Sequence, residues 1–402
     1  MSGSINTASK RLDGAKLSTN AAIVAAIGLL LSALGLTMDP QRFSYAWLWA
    51  YLFFWSAALG GLFFVALQHL TGSIWSVVIR RVAESFAAQM WVVALFAVPI
   101  LAFAWFGDSF HLFPWLDVHH VEGDEVLAGK QPYLNVVFLS LRIVVFMGVW
   151  VLASHFFVTR SLAQDAKGAG RNEGTKKMRS WAPAFMLFFG LSVTFTGFDL
   201  MMSLDPHWFS TIFGVYTFAG VFVTGLAVII LGVVFLRSRG VLDADVVRPD
   251  HLHSLGGLLF AFSCFWAYIA FSQYMLIWYG HLPEETSWYT DRFVGGWGTV
   301  SGALAIVRWV IPFFLLLSRK AKTSPRRLAL VSVIAIFGQL LDLYWVIMPQ
   351  LHTNGPVLSW PELGPLLAMG GILVWLLTRF FARHPAMAVG DPLLTQSVEY
   401  RL

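Results

Sequence analysis

Four ionisable side chains stand inside long apolar runs, two of each sign: Arg142, Asp199, Arg308 and Asp342. An ionised group in hydrocarbon costs at least about 2.5 kcal/mol, so each of the four needs a partner or a use. An aspartate can change its protonation state and an arginine cannot, so an Arg–Asp couple can hold and tune a carboxylate that exchanges a proton. The same couple can also do no more than fix helix register. Buried ion pairs are not dependable stabilisers, and two costly ones in one chain favour a functional use. From the residues alone both readings stand. Depth shows which groups can meet: counted along their apolar runs, Arg308 and Asp342 each lie about fourteen residues in, which at 1.5 Å per residue puts both near the midplane of adjacent antiparallel helices. Arg142 and Asp199 fall in the outer third of theirs, at depths differing by roughly one to two turns.

Further polar groups lie between these four and the two surfaces. His155, Glu84, His253, His69 and Gln339 fall toward one side, a set that can be read as a half-channel leading to Asp199 and Asp342. His207, after Asp205 and Pro206, and His352, after Pro349, fall just beyond the other ends and suit proton exits. Taken singly, the inner end-of-helix groups are better explained by interfacial solvation than by function, and capping or loop ordering explains His207 and His352 at least as well as a proton exit. Paired mid-membrane histidines, which bis-His haem needs, are missing. The single cysteine, Cys264, excludes a thiolate cluster, a disulfide framework and a Cys-x-x-Cys-His haem attachment. No redox cofactor is therefore expected on this chain.

The elements that must carry these groups follow from composition. With 12% charged and 57% hydrophobic residues and a mean hydropathy of +0.69, the solvent for most of the 402 residues is lipid. Apolar runs long enough to span the hydrocarbon, about 20 residues, occur at 19–37, 44–68, 85–107, 133–158, 181–202, 209–236, 252–280, 293–318, 328–349 and 362–380. The expected fold is an all-α integral membrane protein of ten transmembrane helices, with no removed signal peptide. A polar arm (1–18) precedes a ten-helix domain (19–382), and a tail (383–402) follows. The last span is the weakest, because it opens on Pro361 and Glu362 and soon meets Arg379. Spans two to five (about 44–202) and six to nine (about 209–349) form two four-helix units in the same orientation, with two peripheral helices outside them. Trp150 with Arg160 repeats the spacing of Trp309 with Arg319, and each unit holds one Arg–Asp couple on corresponding helices.

Of the 27 Lys and Arg, 22 fall on the side of the termini and only Arg42, Lys130 and Arg292 on the other, with Arg142 and Arg308 inside spans. By the positive-inside rule both termini are cytoplasmic, and the net charge of +5 is a topology signal and not a nucleic-acid footprint. The 18 Trp suit interface belts. The loop from Asp108 to Pro132 carries Asp108, Asp117, Glu122, Asp124 and Glu125 against Lys130, with His111, His119 and His120 nearby. It reads as a solvated loop or as a docking face for an extracytoplasmic partner.

Particular stretches add a resemblance. Gly197-Phe-Asp-Leu-Met-Met-Ser-Leu-Asp-Pro-His-Trp-Phe-Ser-Thr-Ile-Phe-Gly-Val-Tyr216 and Ile277-Trp-Tyr-Gly-His-Leu-Pro-Glu-Glu-Thr-Ser-Trp-Tyr289 resemble the NrfD-like (polysulfide reductase membrane subunit) family as it occurs in alternative complex III. Arg308-Trp-Val-Ile-Pro-Phe-Phe-Leu-Leu-Leu-Ser-Arg319 and Leu341-Asp-Leu-Tyr-Trp-Val-Ile-Met-Pro-Gln-Leu-His352 are similar to its F subunit. The resemblance implies a membrane component of a quinol:cytochrome c oxidoreductase in the bacterial cytoplasmic (inner) membrane. Its partners would be the NrfD-like C subunit, iron-sulfur and multihaem cytochrome c subunits, and a neighbouring terminal oxidase. Iron-sulfur clusters and haem c would sit on those partners, with quinol a candidate ligand here. The family assigns quinol oxidation mainly to the C subunit and proton translocation or assembly to the F subunit, which implies a proton-path role for Asp199, Arg308 and Asp342. A quinol-binding redox subunit, a structural anchor and an independent secondary transporter are the competing expectations.

Overall fold

The computed structural model describes residues 10–117, 123–167 and 172–402. The start of the N-terminal arm, and His119, His120 and Glu122 of the expected docking loop, lie outside the described residues. All regular structure within them is helical, as lipid requires, because a helix satisfies its backbone hydrogen bonds within one segment. Among the described residues ten helices are long and apolar enough to cross a membrane: α1 (Ala15–Met38), α2 (Pro40–Leu70), α3 (Val77–Trp105), α4 (Val136–Ala166), α5 (Glu173–Leu204), α6 (Phe213–Ser238), α7 (Pro249–Gly280), α8 (Trp297–Leu316), α9 (Pro325–Gln350) and α10 (Trp360–Arg383).

Helices α2, α3, α4 and α5 close one ring of four, each packed on the next and α5 back on α2, and α6, α7, α8 and α9 close a second. The rings join where α2 meets α6. Gly60 and Gly225 allow this, since a Cβ on Gly60 would lie 2.6 Å from the Val221 carbonyl and 2.7 Å from the Gly225 Cα. Small residues let backbones approach where lipid removes any hydrophobic drive between helices. The same rule explains α1, whose buried stripe is Ala21, Ala25, Gly28, Ser32 and Gly35 at alternating steps of four and three. Its large residues, Leu30 and Leu34 among them, face outward. That stripe packs on α10, and the pair forms the periphery.

Several helices run further than their apolar stretches suggest. The third begins at Val77, not near 85, and places Arg80, Arg81 and Glu84 inside the fold. The tenth is firmly begun: Ser359 and Glu362 form a capping box, and Arg42 reaches across from α2 to Glu362 at 2.6 and 3.1 Å. Its acidic start is a cap and not a weakness. The tail after α10 is no loose extension, for it folds back across the terminal face.

Candidate functional site

The two intramembrane couples form as depth arithmetic suggests, with different completeness. Arg142 on α4 grips Asp199 on α5 with two parallel contacts, Nε to Oδ2 at 2.8 Å and Nη2 to Oδ1 at 2.9 Å. The Tyr133 hydroxyl donates to Asp199 Oδ1 at 2.9 Å. Arg142 also donates from both terminal nitrogens to the Tyr133 carbonyl at 3.2 Å, and its guanidinium lies over the Tyr133 and Phe138 rings at 3.9 and 4.3 Å. The side chain's length closes the depth mismatch expected between the two residues.

The second couple is looser. Arg308 on α8 comes nearest to Asp342 on α9 at Nη1 to Oδ2, 3.0 Å, Tyr216 on α6 donates its hydroxyl to Asp342 Oδ1, and the Trp266 indole also reaches the carboxylate. Arg308 Nη1 has a longer contact to the Gly338 carbonyl at 3.4 Å, and the Trp266 ring covers the guanidinium at 4.4 Å. Arg308 Nε and Nη2 have no hydrogen-bond partner, nor has Oε1 of Gln339 beside them. The backbone explains this looseness. Residues Ile306–Val310 form a turn of π-helix, and four residues beyond Arg308 stands Pro312, which has no N–H to offer the Arg308 carbonyl and whose ring crowds it.

Beside this couple opens a cavity of about 770 Å³ between α6, α7 and α8. Tyr216 and Trp266 line it with further aromatic side chains, and Gln273, Tyr274 and Ser301 are among its polar residues.

The residues expected to lead in from the terminal face are not brought into one chain. Glu84 is held between Arg80 at 3.2 Å and Arg81 at 2.8 Å, with the Ser161 hydroxyl at 2.8 Å. Arg80 continues to Asp391 of the tail and Arg81 to Asp165, both at 2.5 Å, and the Gly390 N–H donates to Asp165 at 2.9 Å. Arg80 and Arg81, counted in sequence as loop charges, are thus buried in a network that the tail completes. His155 is exposed on the outside of α4, His253 is half-buried at the start of α7, and His69 is buried with its ring stacked 5.8 Å from Phe157. Of the inner set only Gln339 adjoins a carboxylate of either couple.

On the opposite face, His207 is exposed and paired with Asp124 at 2.5 Å. The Leu127 N–H and then His207 hold the Asp124 carboxyl below its usual range. His352 is half-buried, its carbonyl accepts from Trp297 Nε1 at 2.8 Å, and burial lowers its imidazole below the usual histidine value. Neither histidine touches a couple. Arg292, expected to be a surface charge, is fully buried: it donates to the carbonyls of Trp345, Trp288 and Val346 at 3.1, 2.8 and 2.7 Å, under the Trp288 ring at 3.6 Å. Burial with no contacting carboxylate pulls its guanidinium down to about 9. The two tyrosines that complete the couples were not singled out in sequence, because in a chain of 16% aromatics a lone tyrosine carries no signal. No family model matches this chain, and comparison with curated proteins finds none that matches it.

Proposed function

We propose that this chain is an NrfD-like membrane subunit of a quinol-oxidising respiratory complex of the alternative complex III type, and that it supplies part of a transmembrane proton path there. In this reading it lies in the bacterial inner membrane with both termini cytoplasmic, and iron-sulfur and haem c subunits beside it carry the electrons. The observation that carries the proposal is the setting of Asp342: a buried carboxylate that meets Arg308, the Tyr216 hydroxyl and the Trp266 indole, with polar groups lacking hydrogen-bond partners next to it. Arg308 is placed to restrain the carboxylate, while Asp342 and the Tyr216 hydroxyl are groups between which a proton can move. A complex that changes charge in a neighbouring subunit can shift such a balance.

Reconstitution of the whole complex in vesicles tests this. Asp342→Asn is expected to lower the proton-to-electron ratio while electron transfer continues. An unchanged ratio would leave the chain as a membrane anchor.

The large aromatic cavity favours a second reading, in which quinol binds this chain itself. Its volume and mostly apolar lining with a few polar atoms suit a ring-bearing lipid-soluble ligand, and it ends on Tyr216, the tyrosine that holds Asp342. A structure with a quinone analogue decides it: the analogue against Tyr216 and Gln273 supports the reading, and lipid in its place removes it.

A further inference from the structure

Where the two rings meet, Trp55 of α2, Thr217 and Gly220 of α6, and Gln339 and Asp342 of α9 enclose a small space of about 10 Å³. Two side chains on its wall end in buried atoms without a hydrogen-bond partner, Trp55 Nε1 and Gln339 Oε1, and Arg308 Nη2 next to it is a third. All three residues are at least 97% buried, with exposures of 1% for Trp55, 2% for Arg308 and 3% for Gln339. Gly220 makes the room: a Cβ there would stand 3.0 Å from Gln339 Oε1 and 3.3 Å from Arg308 Nη2.

We infer that this junction is a built site for one water molecule, which accepts from Trp55 and Arg308 and donates to Gln339 and Asp342. The chemistry of the walls selects that ligand. An indole N–H and a guanidinium donate only, whereas the amide oxygen and the carboxylate accept. Two donors and two acceptors are the complement of a single water. A metal cation would face Arg308 and an indole proton, and an anion would face Asp342 and the amide oxygen. The space matches the minimum for one water, about 10–15 Å³, and is too small for anything larger.

The water joins the two rings. Through it the hydrogen-bonded chain Tyr216–Asp342 extends to Trp55 on α2, whose ring lies 5.7 Å from that of Trp150, and Trp150 in turn donates to Ser192 at 3.1 Å. The existence of the site stands on its geometry, while its role as the partner with which Asp342 exchanges a proton rests on the proton-path reading above.

The test uses the full chain with its co-purifying partners in lipid nanodiscs. A cryo-EM map that resolves ordered waters is expected to show density within hydrogen-bond reach of Trp55 Nε1, Arg308 Nη2 and Gln339 Oε1. Difference infrared spectra are expected to show a water band that shifts on exchange into H₂¹⁸O. Gly220→Ala should remove both signals. Should that variant fail to fold, Trp55→Phe keeps the ring and loses one donor, and is expected to shift the band. A map with no density there, or with the Gln339 amide turned directly onto Trp55 or Arg308, overturns the site. Water lost in Gly220→Ala with an unchanged proton-to-electron ratio leaves the site standing and removes its role in proton transfer. A fall in that ratio supports both.

Discussion

The two Arg–Asp couples use the same residue types on corresponding helices and differ in how completely they are satisfied. Arg142 and Asp199 make a double contact, and Tyr133 closes it with its hydroxyl and its carbonyl. Arg308 and Asp342 show no such fork: their nearest approach is 3.0 Å, and two of the guanidinium nitrogens make no hydrogen bond. A planar fork matched to a carboxylate is the strongest geometry an ion pair has, so the first couple is built to stay shut. The second is built around a π-turn that denies it that match. Under the proton path proposed above, Asp342 is the carboxylate placed to exchange a proton, and Asp199 the one placed to fix helix register.

The sharpest way to break this contrast is to remove one partner of the closed couple. Asp199→Ala leaves Arg142 buried and uncompensated, and is expected to cost about 3–5 kcal/mol, seen as a marked fall in thermal unfolding temperature in nanodiscs. Replacing both partners, Arg142→Met with Asp199→Leu, is expected to recover most of the loss. If the double variant is as unstable as the single one, the couple does more than hold helices together.

Double-mutant cycles compare the couples directly. With Arg→Gln and Asp→Asn exchanges, coupling is expected near about 3 kcal/mol for Arg142 with Asp199 and about 1 kcal/mol for Arg308 with Asp342, the upper and lower parts of the usual range for contacting pairs. Equal couplings would remove the distinction on which the assignment of roles rests.

A smaller effect is expected where the tail closes the charge network of the terminal face. Asp391→Asn weakens one contact of Arg80 and leaves Glu84 at 3.2 Å. The loss should be about 1–3 kcal/mol, accompanied by faster proteolysis after residue 383. Unchanged cleavage would mean that Ser397, which accepts from His251 and receives Val78 N–H, holds the tail without Asp391.

Much of this was legible in the sequence, for physical reasons that also mark where it stopped. Helix number follows from the length of apolar runs, and the meeting of Arg308 with Asp342 follows from equal depth on adjacent helices, because both are counts along one chain. The capping of α10 by Glu362 was written in Ser359-x-x-Glu362, yet its partner Arg42 lies 320 residues away. Arg80 and Arg81 read as a cytoplasmic pair because only Glu84 of their acidic partners is near in sequence, while Asp165 and Asp391 lie 84 and 311 residues away. Arg292 offered no signal at all, since what buries it is backbone carbonyls, which every residue has. The π-turn did leave a trace in the four-residue step from Arg308 to Pro312.

Asp205 gives the comparison a third carboxylate, outside the spans, which has no contacting arginine or tyrosine and accepts from Gln350 Nε2 at 3.4 Å. Burial is the largest influence on it and raises its pKa, while the charge of Arg292, whose donors all go to carbonyls, opposes without touching it. A carboxyl raised in the folded state binds its proton more tightly there than in the unfolded chain. Its contribution to stability is therefore fully present below the ordinary carboxylate value of about 3.9 and declines as pH rises through the folded value. Asp205→Asn lacks that decline and should gain on the wild type in unfolding temperature as pH rises from about 4 toward neutrality, with no gain at the acid end. Parallel profiles for the two proteins would show that the Arg292 charge, with the Trp208 N–H and His207, cancels burial without an arginine contact. A carboxylate in this fold would then not need a contacting arginine, and the looseness of Arg308 and Asp342 would no longer set that couple apart.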